Sequence, residues 1–181
     1  MKIYTLLCCA VFFMLAHKAS AQKNLVTNAG FEDELNDWAA DNSAKVTPWD
    51  YKGGKNACAI IVYNGNNWVG LSQTVRIPKN TLGMEFSGWL KTINVVKGDD
   101  EWKGAIFNIE FLDKTDKKIG EGENIARLSG DHEWEQAKKQ VKVPATAVSF
   151  RVLLAMGYAS GTMLIDDITA KVLNAEEVAK L

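Results

Sequence analysis

The stretch Gly104–Phe111, GAIFNIEF, alternates two kinds of side chain along its length. Successive side chains of a β-strand point to opposite sides of the sheet, so alternate residues share a face. One face of this stretch is entirely apolar and carries Ala105, Phe107, Ile109 and Phe111. The other face is mixed and carries Ile106, Asn108 and Glu110. An apolar face opposite a mixed one indicates a strand that covers a core on one side only.

Similar segments follow one another along most of the chain. They are rich in Val, Ile, Phe and Trp, and clusters such as YNGNN and LDKTDKK separate them. No long segment has the apolar spacing of an amphipathic helix. Short strands at such spacing predict an all-β fold, a jelly-roll sandwich of two antiparallel sheets. The predicted strands are Ala57–Tyr63, Leu71–Ile77, Met84–Thr92, Ala105–Leu112, Gln136–Val143, Ser149–Met156 and Met163–Leu173.

Residues 1–21 have the composition of a cleavable export signal. Lys2 precedes an apolar run from Ile3 to Ala16, and small residues follow at positions 19–21. We predict cleavage near Ala21, a single mature domain over residues 22–181, and a secreted or periplasmic location. The apolar run is shorter than a bilayer requires, and no comparable run follows, so no membrane span is predicted. A net charge of −1 without a basic stripe gives no indication of a nucleic-acid partner.

Cysteine and acid positions restrict the chemistry that the mature domain could perform. Once the leader is removed only Cys58 remains, so no intramolecular disulfide can form, and we expect Cys58 to be a buried small hydrophobe. Glycoside hydrolysis needs two carboxylates across a cleft, whereas Asp166 and Asp167 leave opposite faces of one strand. His132 is the single histidine of the mature domain, and no Gly-x-Ser-x-Gly elbow accompanies it. We therefore predict a non-enzyme; a glycoside hydrolase or lyase is the least favoured function.

Several segments, in order, resemble the secreted jelly-roll carbohydrate-binding modules of families 4, 9, 16 and 22. The first is NLVTNAGFEDELNDW at residues 24–38, in which Ala29 replaces a family glycine. Others are GGKNACAIIV (53–62), NWVGLSQTVRIP (67–78), FSGWLKT (86–92) and SGTMLIDDITAKV (160–172). The resemblance implies a galactose-binding-like jelly roll. It leaves Phe31 and Trp38 as structural residues, in the core and over the first turn.

The resemblance also implies a structural calcium ion that ties the first segment to the last strand. Its carboxylate ligands would be Glu32 and Asp166 or Asp167, with carbonyl oxygens near Asn28 and Lys55. Calcium takes six to eight hard oxygen ligands, which carboxylates and carbonyls can supply together. In the alternative arrangement Glu32 and Asp167 only accept hydrogen bonds from backbone amides at the edge of the sandwich.

Aromatic residues in predicted loops indicate recognition of a sugar. A pyranose ring has an apolar face that packs on an aromatic plane, and its hydroxyls need directional polar partners. The candidate stacking residues are Trp49, Tyr51, Trp68 and Trp102, and the candidate polar contacts are Asn108, Glu110 and Arg151. We predict binding of a polysaccharide or oligosaccharide, with a separate glycoside hydrolase or surface protein as a further candidate partner. The alternative is an extracellular protein-interaction or cell-surface assembly module.

Overall fold

The computed structural model describes residues 23–181, so the predicted leader lies outside the described residues. Ten strands and one short helix occur within this range. In chain order they are β1 Ala39–Ala40, β2 Ala44–Thr47, β3 Ala57–Val62, β4 Trp68–Arg76, β5 Gly83–Lys97, β6 Gly104–Leu112, β7 Glu123–Leu128, β8 Gly130–Lys142, β9 Ser149–Gly157, β10 Ala159–Val172 and α1 Ala175–Val178.

The strands form two five-stranded sheets. The front sheet has the order β1-β4-β9-β6-β7, and the back sheet has the order β2-β3-β10-β5-β8. Neighbouring strands are antiparallel throughout both sheets. The predicted all-β sandwich of two antiparallel sheets is confirmed.

The predicted strands are all present, but two of them extend well beyond their predicted limits. β5 runs on to Lys97, and β8 begins at Gly130 rather than at Gln136. Their pairing contains register shifts between Leu90 and Val95. A β-bulge breaks the alternation of side chains while the pairing continues, so the sequence pattern ends before the strand does.

The core lies between the inner faces of the two sheets. The apolar face of GAIFNIEF is buried there, as its alternation predicted. Phe86 from the back sheet meets Phe150 from the front sheet edge to face, with ring centroids 5.1 Å apart. Phe31 is fully buried, and Trp38 packs on it with a centroid distance of 5.3 Å. Both residues therefore have the structural roles that the sequence predicted.

Cys58 is also buried in this core, and burial raises the pKa of its thiol to about 12. A thiol in that environment stays protonated and unreactive, as expected for a small core residue.

The chain ends in one helical turn, α1, which is closed by a capping box between Asn174 and Glu177. Within residues 23–181 no helix is long and apolar enough to cross a membrane.

Candidate functional site

The outward surface of the front sheet brings together most of the predicted sugar-binding residues. β9 occupies the centre of this sheet, with β4 on one side and β6 on the other. At one end Trp68 and Gly104 both pair with Gly157, and at the other end Arg76 pairs with Ser149. The eight residue steps between these ends of β9 give a face about 26 Å long. We call this surface the front face.

Aromatic rings cluster at one end of the front face. The Trp68 ring lies against the backbone of β9, since a methyl carbon at Gly157 would come within 2.8 Å of it. Trp68 and Tyr158 line one open depression of about 630 Å³. The ring of Trp102 meets that of Tyr158 edge to face at 5.4 Å, and Lys103 Nζ lies over both rings. Trp68, Trp102 and Tyr158 each remain more than 40% exposed, which leaves ring surface open to a ligand.

Polar side chains occupy the middle of the front face. Glu110 on β6 pairs directly with Arg151 on β9, and a nitrogen of Arg151 lies 3.2 Å from Glu110 Oε2. Lys118 Nζ lies 3.8 Å from the other carboxylate oxygen of Glu110. Two residues back along β6, the Oδ1 atom of Asn108 is buried and accepts no hydrogen bond from residues 23–181. A buried unpaired carbonyl is costly, so Asn108 Oδ1 is a candidate acceptor for a donor from outside the chain.

Two basic side chains, Arg76 and Lys114, and one acidic side chain, Asp116, stand at the far end of the front face. A pocket of about 430 Å³ lies between β4, β9 and the loop that follows β6. Its lining residues are Thr74, Arg76, Lys114, Asp116, Val148 and Ser149. The face therefore changes from aromatic to polar to basic along its length.

Trp49 and Tyr51 lie on the opposite side of the molecule. The residue between them, Asp50, accepts a 2.8 Å hydrogen bond from the indole Nε1–H of Trp134 and contacts Lys91 Nζ at 3.1 Å. Both of those partners belong to the back sheet. The structure thus separates Trp49 and Tyr51 from the front face, where the other five predicted binding residues lie.

The predicted calcium residues meet at one corner of the sandwich, around the turn at Gly53. Asp166 is fully buried there, and its Oδ2 atom accepts hydrogen bonds from the amides of Lys52 and Gly53 at 2.8 and 2.9 Å. Its Oδ1 atom accepts the Asp167 amide at 2.7 Å. Burial raises the pKa of the Asp166 carboxyl, although these amide hydrogen bonds oppose the rise. Both oxygens of Asp166 are therefore already occupied by donors.

Other oxygens of the predicted calcium shell are also occupied. Glu32 Oε1 accepts the amides of Lys55 and Asn56 at 2.7 and 3.0 Å. The Asn28 carbonyl accepts the Phe31 amide and the Trp38 indole N–H. Glu32 therefore accepts backbone amides, as in the alternative to calcium binding. In that alternative Asp167 was expected to accept amides as well, but in the structure Asp166 does so instead.

Some carboxylate oxygens at this corner remain available to coordinate a cation. Neither oxygen of Asp167 nor Oε2 of Glu32 accepts a hydrogen bond from residues 23–181, and both carboxylates border the turn at Gly53 and Gly54. In the same part of the chain, no three acidic, histidine or cysteine side chains converge as a metal cluster. Glu32 and Asp167 keep oxygens that could enter a calcium shell, whereas the Asn28 carbonyl and Asp166 already accept hydrogen bonds. Calcium binding stays a prediction.

Several residues of the front face were not among the predicted binding residues. Arg76 lies at the end of β4, where alternation with Thr74 would have placed it on the outward face. Arg127 lies on β7, which the sequence analysis did not identify as a strand. Lys118 reaches Glu110 from a loop, and no sequence pattern indicates that contact.

Comparison with known proteins gives matches at the level of structure. No protein-family model matches the chain, and no curated protein sequence does. The Family 16 Carbohydrate Binding Module-2 is similar with a TM-score of 0.58 and 17% identity, over 81% of this chain and 99% of that one. The CBM22-1 xylan-binding domain of Xyn10C from Paenibacillus barcinonensis is similar with a TM-score of 0.57 and 20% identity, over 87% of this chain and 99% of that domain.

An enzyme domain also contains a similar structure. The enzymatically active domain of tailspike protein 4 from bacteriophage CBA120 matches 83% of this chain with a TM-score of 0.65 and 14% identity. This chain spans only 21% of that protein. At these identities the likeness shows the fold alone. The chain has the jelly-roll sandwich fold of the carbohydrate-binding modules that its sequence resembles.

Proposed function

We propose that the protein is an exported, non-catalytic carbohydrate-binding module whose ligand lies along the front face. The observation that carries this proposal is that the exposed Trp68 lies on the same face as Asn108, Glu110 and Arg151. The exposed rings of Tyr158 and Trp102 lie at the Trp68 end of that face. Aromatic planes beside a few fixed polar groups are the composition of a site that binds sugars.

The mechanism is recognition without a bond made or broken. The apolar face of a pyranose ring packs on the exposed Trp68 ring, which Gly157 allows to lie close against the sheet. Sugar hydroxyls then hydrogen-bond to the polar groups in the middle of the face. A hydroxyl that donates to Asn108 Oδ1 would satisfy an acceptor that is otherwise buried and unpaired.

The arrangement of acids supports a binding function over hydrolysis. Glu110 is the one acidic side chain at an outward position of β4, β6 and β9. Retaining and inverting hydrolases need a second carboxylate about 5–5.5 or 6.5–9.5 Å away. Glu110 instead has Arg151 and Lys118 as its neighbours, and neither is a carboxylic acid.

Similar structures support a sugar ligand, although they differ in the sugar. One is named for binding xylan, and another, TmCBM61, is a complex with β-1,4-galactotriose. TmCBM61 matches 83% of this chain at 20% identity with a TM-score of 0.56. The composition of residues 1–21, which predicts a cleavable export signal, supports export. N-terminal sequencing of the protein recovered outside the cytoplasm tests that part of the proposal.

Affinity electrophoresis of the mature chain, residues 22–181, tests the binding proposal. The gels contain β-glucan, xylan, galactomannan or pectin, each with calcium and with a chelator. We expect retardation by at least one polymer and loss of that retardation in Trp68→Ala and Trp102→Ala. Trp49→Ala is the matched control, because it removes an exposed Trp from the opposite side of the molecule.

Two results would contradict the proposal. No retardation by any polymer, with the fold verified by circular dichroism, would favour the protein-interaction alternative. Retardation that Trp49→Ala removes and Trp68→Ala leaves intact would move the ligand to the back sheet.

A further inference from the structure

The chain has three arginines, and all of them stand on the front sheet. Arg76 is on β4, Arg127 on β7 and Arg151 on β9. Their strand partners show which way they point. Arg76 pairs with Ser149 and Arg127 pairs with Ile106, and both partners are outward residues of the sheet. The three arginines therefore share the front face with the aromatic cluster.

Two of these arginines have no carboxylate partner. Within residues 23–181 neither Arg76 nor Arg127 lies in an ion pair, and the one polar contact of Arg127 is the Glu101 carbonyl at 3.5 Å. Arg76 is exposed at the pocket at the far end of the front face, where Lys114 adds a second positive charge and Asp116 a single negative one. Such guanidinium groups are free to bind an external anion.

The charge of the front face differs from that of the whole protein. The outward positions of its strands carry three arginines against the single carboxylate of Glu110, a formal charge of +2 for the strands alone. At the pocket around Arg76, the opposite charges of the loop residues Lys114 and Asp116 cancel. The whole chain carries a formal charge of −1. An excess of positive charge on one face of a slightly acidic protein attracts anionic ligands to that face.

The choice of arginine over lysine points to particular anions. Arginine presents a planar fork of donors that matches a carboxylate or a sulfate with two parallel hydrogen bonds, whereas lysine is a point charge. We propose that the ligand of the front face is an acidic polysaccharide, whose carboxylate or sulfate groups bind Arg76, Arg127 and Arg151. This inference rests on the proposed carbohydrate-binding function and specifies the class of sugar.

The spacing of the arginines fits a polymer rather than a single sugar. Their positions along the sheet can be compared on the central strand, β9. Arg76 pairs with Ser149 of β9, Arg151 belongs to β9, and Arg127 is level with Ala155 because both pair with Ile106. Those levels are about 7 and 13 Å apart along the strand. One acidic monosaccharide cannot contact groups so far apart, whereas a chain with repeated acidic groups can.

Matched pairs of polymers test the inference in calcium-free gels. One pair is polygalacturonate and its fully methyl-esterified form, which keeps the backbone and removes the charge. The other pair is dextran sulfate and dextran. Arg76→Gln and Arg127→Gln are compared with Lys142→Gln, which removes an exposed charge from the back sheet. Arg76→Lys keeps the charge but loses the fork.

We expect the charged member of one pair to bind and its uncharged partner to bind much less. Each arginine variant should weaken that binding by about fivefold, Arg76→Lys should restore only part of it, and Lys142→Gln should leave it unchanged. Retention by polygalacturonate alone assigns carboxylates as the ligand groups, and retention by dextran sulfate alone assigns sulfates.

Three results would overturn the inference, and they differ from failure of the proposed function. Binding of neutral polymers but not of acidic ones would leave a carbohydrate-binding module with a different ligand. Equal losses in Lys142→Gln and Arg76→Gln, or acidic binding that Trp68→Ala does not weaken, would show general adsorption of polyanions. No binding to any polymer, charged or neutral, would remove the proposed function itself.

Discussion

The outward faces of the two sheets differ in how their polar groups are satisfied. On the back sheet several of the charged groups bind one another. Lys91 Nζ lies within 3.1 Å of carboxylates of both Asp50 and Glu133, and Glu85 accepts hydrogen bonds or ion pairs at 2.8–2.9 Å from two side chains of β8. Even the Trp89 ring is covered, since Lys52 Nζ lies 4.1 Å from its centroid.

The front face keeps its binding capacity open. Asn108 Oδ1 is the one buried side-chain polar atom of residues 23–181 without a hydrogen-bond partner. Arg76 and the rings of Trp68 and Trp102 are exposed on the same face. The comparison teaches that aromatic and charged residues occur on both faces, so composition does not separate the two faces. The unpaired buried acceptor is what sets the proposed binding face apart.

The largest expected effect is a loss of stability on substitution of Asp166, which lies away from the front face. Asp166→Ala leaves three backbone amides without their acceptor, so we expect the free energy of unfolding to fall by about 3 kcal/mol. Urea denaturation measures the change, and Asp99→Ala in an exposed turn is the control. Polymer retention by the folded variant should be unchanged. A loss of retention equal to that of Trp68→Ala would show that the Asp166 corner also affects polymer binding, against the separation of a binding face from a stabilising one.

The next largest expected effect is that of calcium on the free energy of unfolding. If Glu32 and Asp167 complete a shell with carbonyl oxygens, calcium at 100 times its dissociation constant should raise the free energy of unfolding by about 2.7 kcal/mol. Thermal melts in calcium and in chelator measure this, and Asp167→Asn should abolish the difference while Asp99→Asn preserves it. Identical melting temperatures in both buffers would mean that amide hydrogen bonds alone hold the corner.

Asn108 should show opposite changes in stability and affinity. Asn108→Leu replaces an unpaired buried carbonyl with an apolar group of similar shape, so we expect stability to rise by about 1 kcal/mol. Retention by the polymer should weaken, because a hydroxyl partner is lost. Gln136→Leu on the back sheet, an exposed position, is the matched control. A fall in the stability of Asn108→Leu would show that Asn108 is a structural residue.

The fold could be predicted from sequence wherever one side of a strand meets the core. Alternation identified β6 and β9 and assigned their inward faces correctly. β7 was missed because it is an edge strand whose side chains are only partly buried, and a register shift interrupts its pairing with β6. Edge strands bury too little apolar surface to impose a clear alternation.

The candidate site was predicted in part for the same reason. Asn108, Glu110 and Arg151 lie in regular strands, so alternation placed them on one face. Trp49 and Tyr51 lie in a loop, and contacts between residues more than 80 positions apart, such as Asp50 with Trp134, decide its path. Local pattern carries no information about such contacts, and this explains why the sequence grouped these two rings with Trp68.

The smallest expected effect tests whether charges on the back sheet serve stability. Burial tends to raise the pKa of Glu85, but Lys138 and Gln140 outweigh it and hold that pKa below its ordinary value of 4.5. A carboxyl whose pKa is lowered by folding stabilises the protein above pH 4.5, and this contribution is lost as the pH falls below that value. We expect at most about 1 kcal/mol, because the pair lies near the surface.

Urea denaturation of the protein and of Glu85→Gln at pH 7 and pH 3.5 measures this contribution. The variant should be less stable at pH 7, nearly equal to the parent at pH 3.5, and unchanged in its retention by the polymer. A parallel loss at both pH values would place the effect of Glu85 in packing. A change in polymer retention would mean that the back sheet also binds, because its charges would then have a role beyond pairing with one another.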